Sequence, residues 1–124
     1  DGYTINYFSS GDKKEEYEFS NNKKNGKYNS YYSSGSLQSD LEYIDDNQVG
    51  SCSWYYPNGN IYKIKEHILG SNYQVNYYMT GEKKSEGPFE GDEMVGSWIF
   101  YGENEKIILE KIFPNPSHGV LTLK

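Results

Sequence analysis

Catalysis and metal binding draw on His, Cys and carboxylate side chains that converge, and in this chain such residues are scattered. There are two histidines, His67 and His118, and one cysteine, Cys52, which leaves no disulfide framework and no cysteine-based zinc site. Cys52 lies in a strand-like run and reads as a small buried residue. His67 has no second His or Cys nearby and reads as a surface or half-buried imidazole. The carboxylates come as neighbours, Glu15-Glu16, Asp45-Asp46 and Asp92-Glu93. Neighbours on a strand point to opposite faces, so none of these forms an acid/base pair. Asp45-Asp46-Asn47-Gln48 lacks the glycine and closing glutamate of a calcium-binding EF-hand loop and reads as a solvated loop. The expectation is no catalysis, no metal and no cofactor.

Binding chemistry is better represented, in aromatic pairs at 7/8, 31/32, 55/56, 77/78 and 100/101. On a strand each pair places one ring on each face. Tyr7, Tyr31, Tyr32, Tyr55, Tyr56, Tyr77, Tyr78 and Tyr101 are therefore the candidate binding residues. Exposed tyrosine rows suit a protein partner, where Tyr is a frequent anchor, and can stack on sugar rings. The competing reading is structural: a single-layer sheet must cover both faces, and cross-strand aromatic pairs do that.

The pairs belong to a unit that the chain repeats five times. Its form is a glycine, a short mixed run, an aromatic pair, two turn residues and a second glycine. The first marker stands at 2, 26, 50, 72 and 96 and the second at 11, 35, 59, 81 and 104. The steps are 24, 24, 22, 24 and 24, 24, 22, 23. Asn72 and Asn104 replace glycine with the residue that best tolerates a left-handed backbone, so all these positions are expected at positive φ. Each copy reads as one β-hairpin with a polar crossover to the next. Pro88 is expected at an edge or a bulge, since it cannot donate to a ladder. The fifth return strand is the most hydrophobic and is expected at one end of the sheet.

The chain has 124 residues, with 14 Tyr, 5 Phe and 2 Trp, and no Ala or Arg. Losing the best helix former while Tyr, Ser, Asn and Gly abound points to strands and turns. The predicted fold is all-β, an elongated single-layer antiparallel sheet of about five tandem hairpin repeats over residues 1–111. Residues 112–124 break the period and read as the start of a different module. A net charge of −6 argues against nucleic acid and against anionic membrane. No run approaches the ~20 apolar residues of a membrane helix, and no signal peptide is seen. Asp1 is not a natural initiator, so the chain reads as processed or trimmed.

Tyr-Tyr-Pro-Asn-Gly at 55–59, Tyr-Tyr-Ser-Ser-Gly at 31–35, Tyr-Tyr-Met-Thr-Gly at 77–81 and Gly-Ser-Trp at 96–98 resemble the MORN-variant family of tandem hairpins, which includes bacterial antitoxins of the YwqK type. The resemblance implies scaffolding or binding, not catalysis. Phe113 to Lys124 resembles the opening of the C-terminal sorting domain of type IX secretion cargo in Bacteroidota, through Pro114, Asn115, Pro116 and Gly119 with alternating apolar residues after them. It implies export to the cell surface or beyond. The expectation is a non-enzymatic, exported structural or protein-binding element. The alternatives are a cytoplasmic antitoxin-like protein that binds a partner toxin, for which the acidic charge would suit a basic partner, and a carbohydrate- or choline-binding array; the regular Gly-Trp step of choline-binding repeats appears at most once, at Gly96-Ser-Trp98.

Overall fold

A computed structural model describes residues 1–68 and 71–115. Twelve strands follow one another: β1 (Gly2–Tyr7), β2 (Lys13–Ser20), β3 (Lys23–Tyr31), β4 (Leu37–Ile44), β5 (Asn47–Gln48), β6 (Gly50–Tyr55), β7 (Ile61–Ile68), β8 (Ser71–Tyr77), β9 (Lys83–Glu90), β10 (Glu93–Met94), β11 (Gly96–Tyr101) and β12 (Ile107–Phe113). They form one open antiparallel sheet in the order β1-β2-β3-β4-β6-β7-β8-β9-β11-β12, with β5 paired to β4 and β10 to β9. A single turn of 3₁₀ helix spans Glu103–Glu105. At ~4.8 Å per strand the ten main strands make a sheet roughly 45 Å across. The five copies are hairpins β1–β2, β3–β4, β6–β7, β8–β9 and β11–β12, lying side by side as the period predicts.

The first four hairpins close in the same way. The second aromatic receives the N–H of the glycine three residues on, as from Gly35 to the Tyr32 carbonyl at 2.9 Å, and donates its own N–H one residue further, from Tyr32 to Ser36 at 2.8 Å. Gly11, Gly35, Gly59 and Gly81 hold φ between 93° and 98°, a backbone that L side chains avoid. One extra residue on the return strand shifts the register beside the first aromatic in every copy. In the fifth copy this register makes Tyr101 the first member and Gly102 the second, with Gly102 donating to the Lys106 carbonyl. The aromatic pair expected at 100/101 is thus displaced by one: Phe100 sits a residue earlier, beside Trp98.

The crossovers are tighter than the polar loops expected. Asn21-Asn22 and Asp45-Asp46 have both central residues at positive φ, the geometry of a two-residue hairpin turn. Asp45 and Asp46 clip onto the preceding crossover: Asp46 Oδ1 accepts the Lys24 N–H at 2.7 Å, and Asn25 bonds Asp45 twice. Just after three of the four crossovers two extra residues are accommodated, and Gly26, Gly50 and Gly96 take positive φ there. The junction of β7 with β8 has no such insertion; its ladder runs unbroken from Lys63↔Asn76 to Ile68↔Ser71. That missing pair of residues is why the third step is 22, not 24. Asn72 accordingly lies in regular ladder opposite His67, and Gly2 opposite Phe19, neither at positive φ.

Pro88 belongs to an interior strand, so it marks the bulge and not an edge. Its carbonyl accepts Val95 N–H at 3.1 Å and Trp98 Nε1 at 2.7 Å. Gly87 is needed under Trp98, because a Cβ there would stand 2.4 Å from the indole. Among the described residues β12 is the terminal strand of the sheet, and it continues through Ile112 and Phe113, whose ring meets Trp98 edge-on. Pro114 and Asn115 follow it; Pro116 and Gly119 lie outside the described residues.

The two faces differ. Leu41, Cys52, Phe89 and Trp98, all nearly fully buried, share one face with Tyr17, Tyr28, Trp54, Lys63 and Lys65. We call this the groove face. The core thus comes from mid-strand residues of this face and not from the turn-proximal aromatic pairs.

Candidate functional site

On the face opposite the groove, two carboxylates each gather three donors. Glu16 accepts from the hydroxyls of Tyr3 and Tyr31 and from Lys13; Glu86 accepts from Tyr73, Tyr101 and Lys83. The two clusters are one arrangement three copies apart. In each, one phenol comes from the glutamate's own hairpin and the other from the next. The Tyr3 and Tyr31 hydrogen bonds hold the Glu16 carboxyl below its ordinary range. Burial pushes Glu86 upward, but the bonds from Tyr101, Tyr73 and Lys83 outweigh it and the net shift is downward. The Glu16 carboxylate lifts Tyr31 to about 12, and Glu86 does the same for Tyr101. Burial, then Glu86, lifts Tyr73 to about 12. Sequence reasoning missed these glutamates; the signal available was Lys-Lys-x-Glu at 13–16 and again at 83–86.

The second aromatics do a different job. The hydroxyls of Tyr32, Tyr56 and Tyr78 donate to the carbonyls of Tyr55, Tyr77 and Tyr101 at 2.5, 2.7 and 2.8 Å. Each carbonyl belongs to the first aromatic of the next copy, where the ladder shifts register and a backbone acceptor needs another donor. The phenols form a ladder from hairpin to hairpin, and Phe8 holds the same place without a hydroxyl. Of the sequence-predicted residues, Tyr31 and Tyr101 reach the carboxylate face, Tyr32, Tyr56 and Tyr78 make the ladder, and Tyr55 and Tyr77 are half-buried acceptors in it. Tyr7, in β1, is 57% exposed.

The groove face carries the cleft. A cavity of about 390 Å³ is walled by Tyr28, Tyr32, Tyr43, Trp54 and Tyr62, with Ser30 and Ser39 hydrogen-bonded on its floor. A second, of about 490 Å³, shares Tyr43 and Gln48 with it and extends to Lys65, His67 and Phe89. Lysines lie on these rings. Lys24 Nζ is 5.0–5.5 Å from the centroids of Tyr17, Tyr28 and Tyr43; Lys63 is 4.5 Å from Trp54 and Lys65 4.5 Å from Phe89. Burial, and then the neighbouring Lys65 charge, lowers the Lys63 pKa.

Strand register concentrates carboxylates on one face: Glu16, Glu18, Asp40, Glu42, Glu66, Glu86 and Glu110 lie there with Lys13, Lys27 and Lys83, whereas Lys63, Lys65 and Lys111 share the groove face with the single strand carboxylate Glu15. The groove face thus carries lysines among its rings; Lys65 is buried there, donating to the Gly91 carbonyl at 3.3 Å with Asp92 4.0 Å away. Cys52 is fully buried on this face, and burial pushes its thiol up, away from reactivity. His67 is half-buried, with Nδ1 3.1 Å from the Gly50 carbonyl and its ring edge-on to Phe89. Among the described residues no three His, Cys, Asp or Glu side chains come together as a metal site would need.

No protein-family model matches this chain, and no curated protein matches it. The fold and cleft define it by class, as an open all-β sheet of tandem hairpins with an aromatic and lysine-bearing groove.

Proposed function

We propose that the chain is a non-catalytic binding element that works outside the cell and holds a protein partner along its groove face. The observation that supports this best is the sorting of side chains. One face ties Glu16 and Glu86 to tyrosines, while the other sets aromatic walls and the Lys24 and Lys63 ammonium groups around an open cleft. Rings offer large contact area at low entropic cost, and lysines seated on them favour an acidic partner segment. Placement outside the cell rests on the resemblance of 113–124 to a sorting segment, and the scaffold reading on the resemblance to MORN-variant hairpins. A carbohydrate is the second reading, favoured by Ser30, Ser39, Gln38 and Gln48 beside the same rings, a mixture suited to stacking on and bonding a sugar.

Site-directed photo-crosslinking in the producing cells tests this reading. A crosslinker at Tyr62, in the groove, is expected to give one discrete adduct that is accessible to external protease and lost with Trp54→Ser. The same probe at Glu66, on the opposite face, is expected to give none. Equal adducts from both positions, or adducts confined to the cytoplasm, would sink the proposal. A glycan-sized adduct from Tyr62 would select the carbohydrate reading.

A further inference from the structure

The outer edge of β12 pairs with no strand among the described residues, and it exposes Ile107, Ile108, Leu109 and Ile112, the last at 80%. Edge strands are usually blunted by charge, proline or a cover. β12 instead carries half of a contact that joins hairpins at two of the four junctions inside the array, the first and the fourth. Glu110 stands opposite Ile99, in the same row as Glu86 on the other side of that strand. It therefore occupies in the fifth copy the place of Glu16 in the first and Glu86 in the fourth. Both of those accept a phenol from the next hairpin, Tyr31 and Tyr101 respectively. The residue of β1 equivalent to those phenols is Tyr7, at the same register shift and 57% exposed.

We propose that the outer edge of β12 docks β1 of a second copy of this chain, the Tyr7 hydroxyl of one copy donating to the Glu110 carboxylate of the other. The internal junctions set the geometry: Glu16 lies opposite Asn29 two residues before Tyr31, and Glu86 opposite Ile99 two residues before Tyr101. The matching register puts Glu110 opposite Ile5, two residues before Tyr7. Gly102 supplies no phenol to the carbonyl ladder at this junction, so the tyrosine-glutamate bond fixes the register there. The contact is head-to-tail and continues the sheet without closing it, so the product is an open series.

Sedimentation of the whole chain from micromolar to millimolar concentration tests this. A monomer-dimer-trimer series is expected, with Tyr7→Phe and Glu110→Gln each weakening the step constant about tenfold and the double variant no weaker than either alone. Both sites are exposed, and unchanged circular dichroism checks that the variants fold. A chain monomeric throughout, or association indifferent to both substitutions, overturns the proposal. Association that appears only when residues 116–124 are removed also overturns it, since that segment would then be the occupant of the edge.

Discussion

Glu16 and Glu86 each tie two hairpins together, and their chemistry dictates how the protein responds to pH. Both carboxyls are held below the ordinary value in the folded chain. Their stabilisation is therefore present above the unfolded value of about 4.3 and lost as pH falls through the lowered folded values. Tyr31, Tyr73 and Tyr101 are raised to about 12. Their contribution is present below the unfolded value of about 10 and lost as pH rises towards the folded values. Denaturant titrations should show a plateau between about pH 5 and 10, falling on both sides. Glu86→Gln should cost about 1–2 kcal/mol at neutral pH. It should also bring some of the tyrosinate absorbance titration back towards 10; an unchanged titration would mean that the phenols do not face the carboxylate. Gly87→Ala meets the buried Trp98 and should cost about 3 kcal/mol by denaturation. Gly35→Ala is strained only by φ and should cost about 1–2 kcal/mol.

At the level of the hairpin, the phenol ladder makes a sharper prediction. Tyr32→Phe, Tyr56→Phe and Tyr78→Phe each delete one hydroxyl that serves a neighbouring copy's carbonyl, and each should cost about 1 kcal/mol. The three sites stand in consecutive hairpins, roughly 10 Å apart at two strand spacings, and use different acceptors, so the triple variant should lose the sum within about 0.5 kcal/mol. Phe8 shows that the ring alone fits this place, so the variants should keep the native circular dichroism spectrum. The hairpins themselves are legible in the sequence because turns at positive φ leave a glycine or asparagine mark. The junctions are less so: the two extra residues at Gly26, Gly50 and Gly96 shift the register, yet the glycine there looks like any other. Asn72 misleads for that reason, since it sits at the same spacing without the bulge. Glu16 and Glu86 carry no special residue type, and the groove lysines vanish into a negative total. Face assignment needs register, and register is set by bulges that composition does not reveal.

Across the whole sheet, each hairpin touches only its neighbours, so stability should behave as a sum of copies and junctions. Among the described residues the end strands β1 and β12 have one neighbour each, and most nearly buried residues lie from β4 to β11. Amide exchange should therefore be fastest in β1 and β12 and slowest from β6 to β9, with protection graded between them. Uniform protection would show instead a single cooperative unit. The strand order has a mechanical consequence as well. Because the sheet is an uninterrupted meander, its first and last strands sit on opposite edges, and tension between them acts across the strands. Hydrogen bonds loaded in that direction break in succession, like the teeth of a zip. The molecule should behave as a stepwise extensible tether, each released copy of 24 residues adding roughly 80 Å of chain before the next hairpin yields.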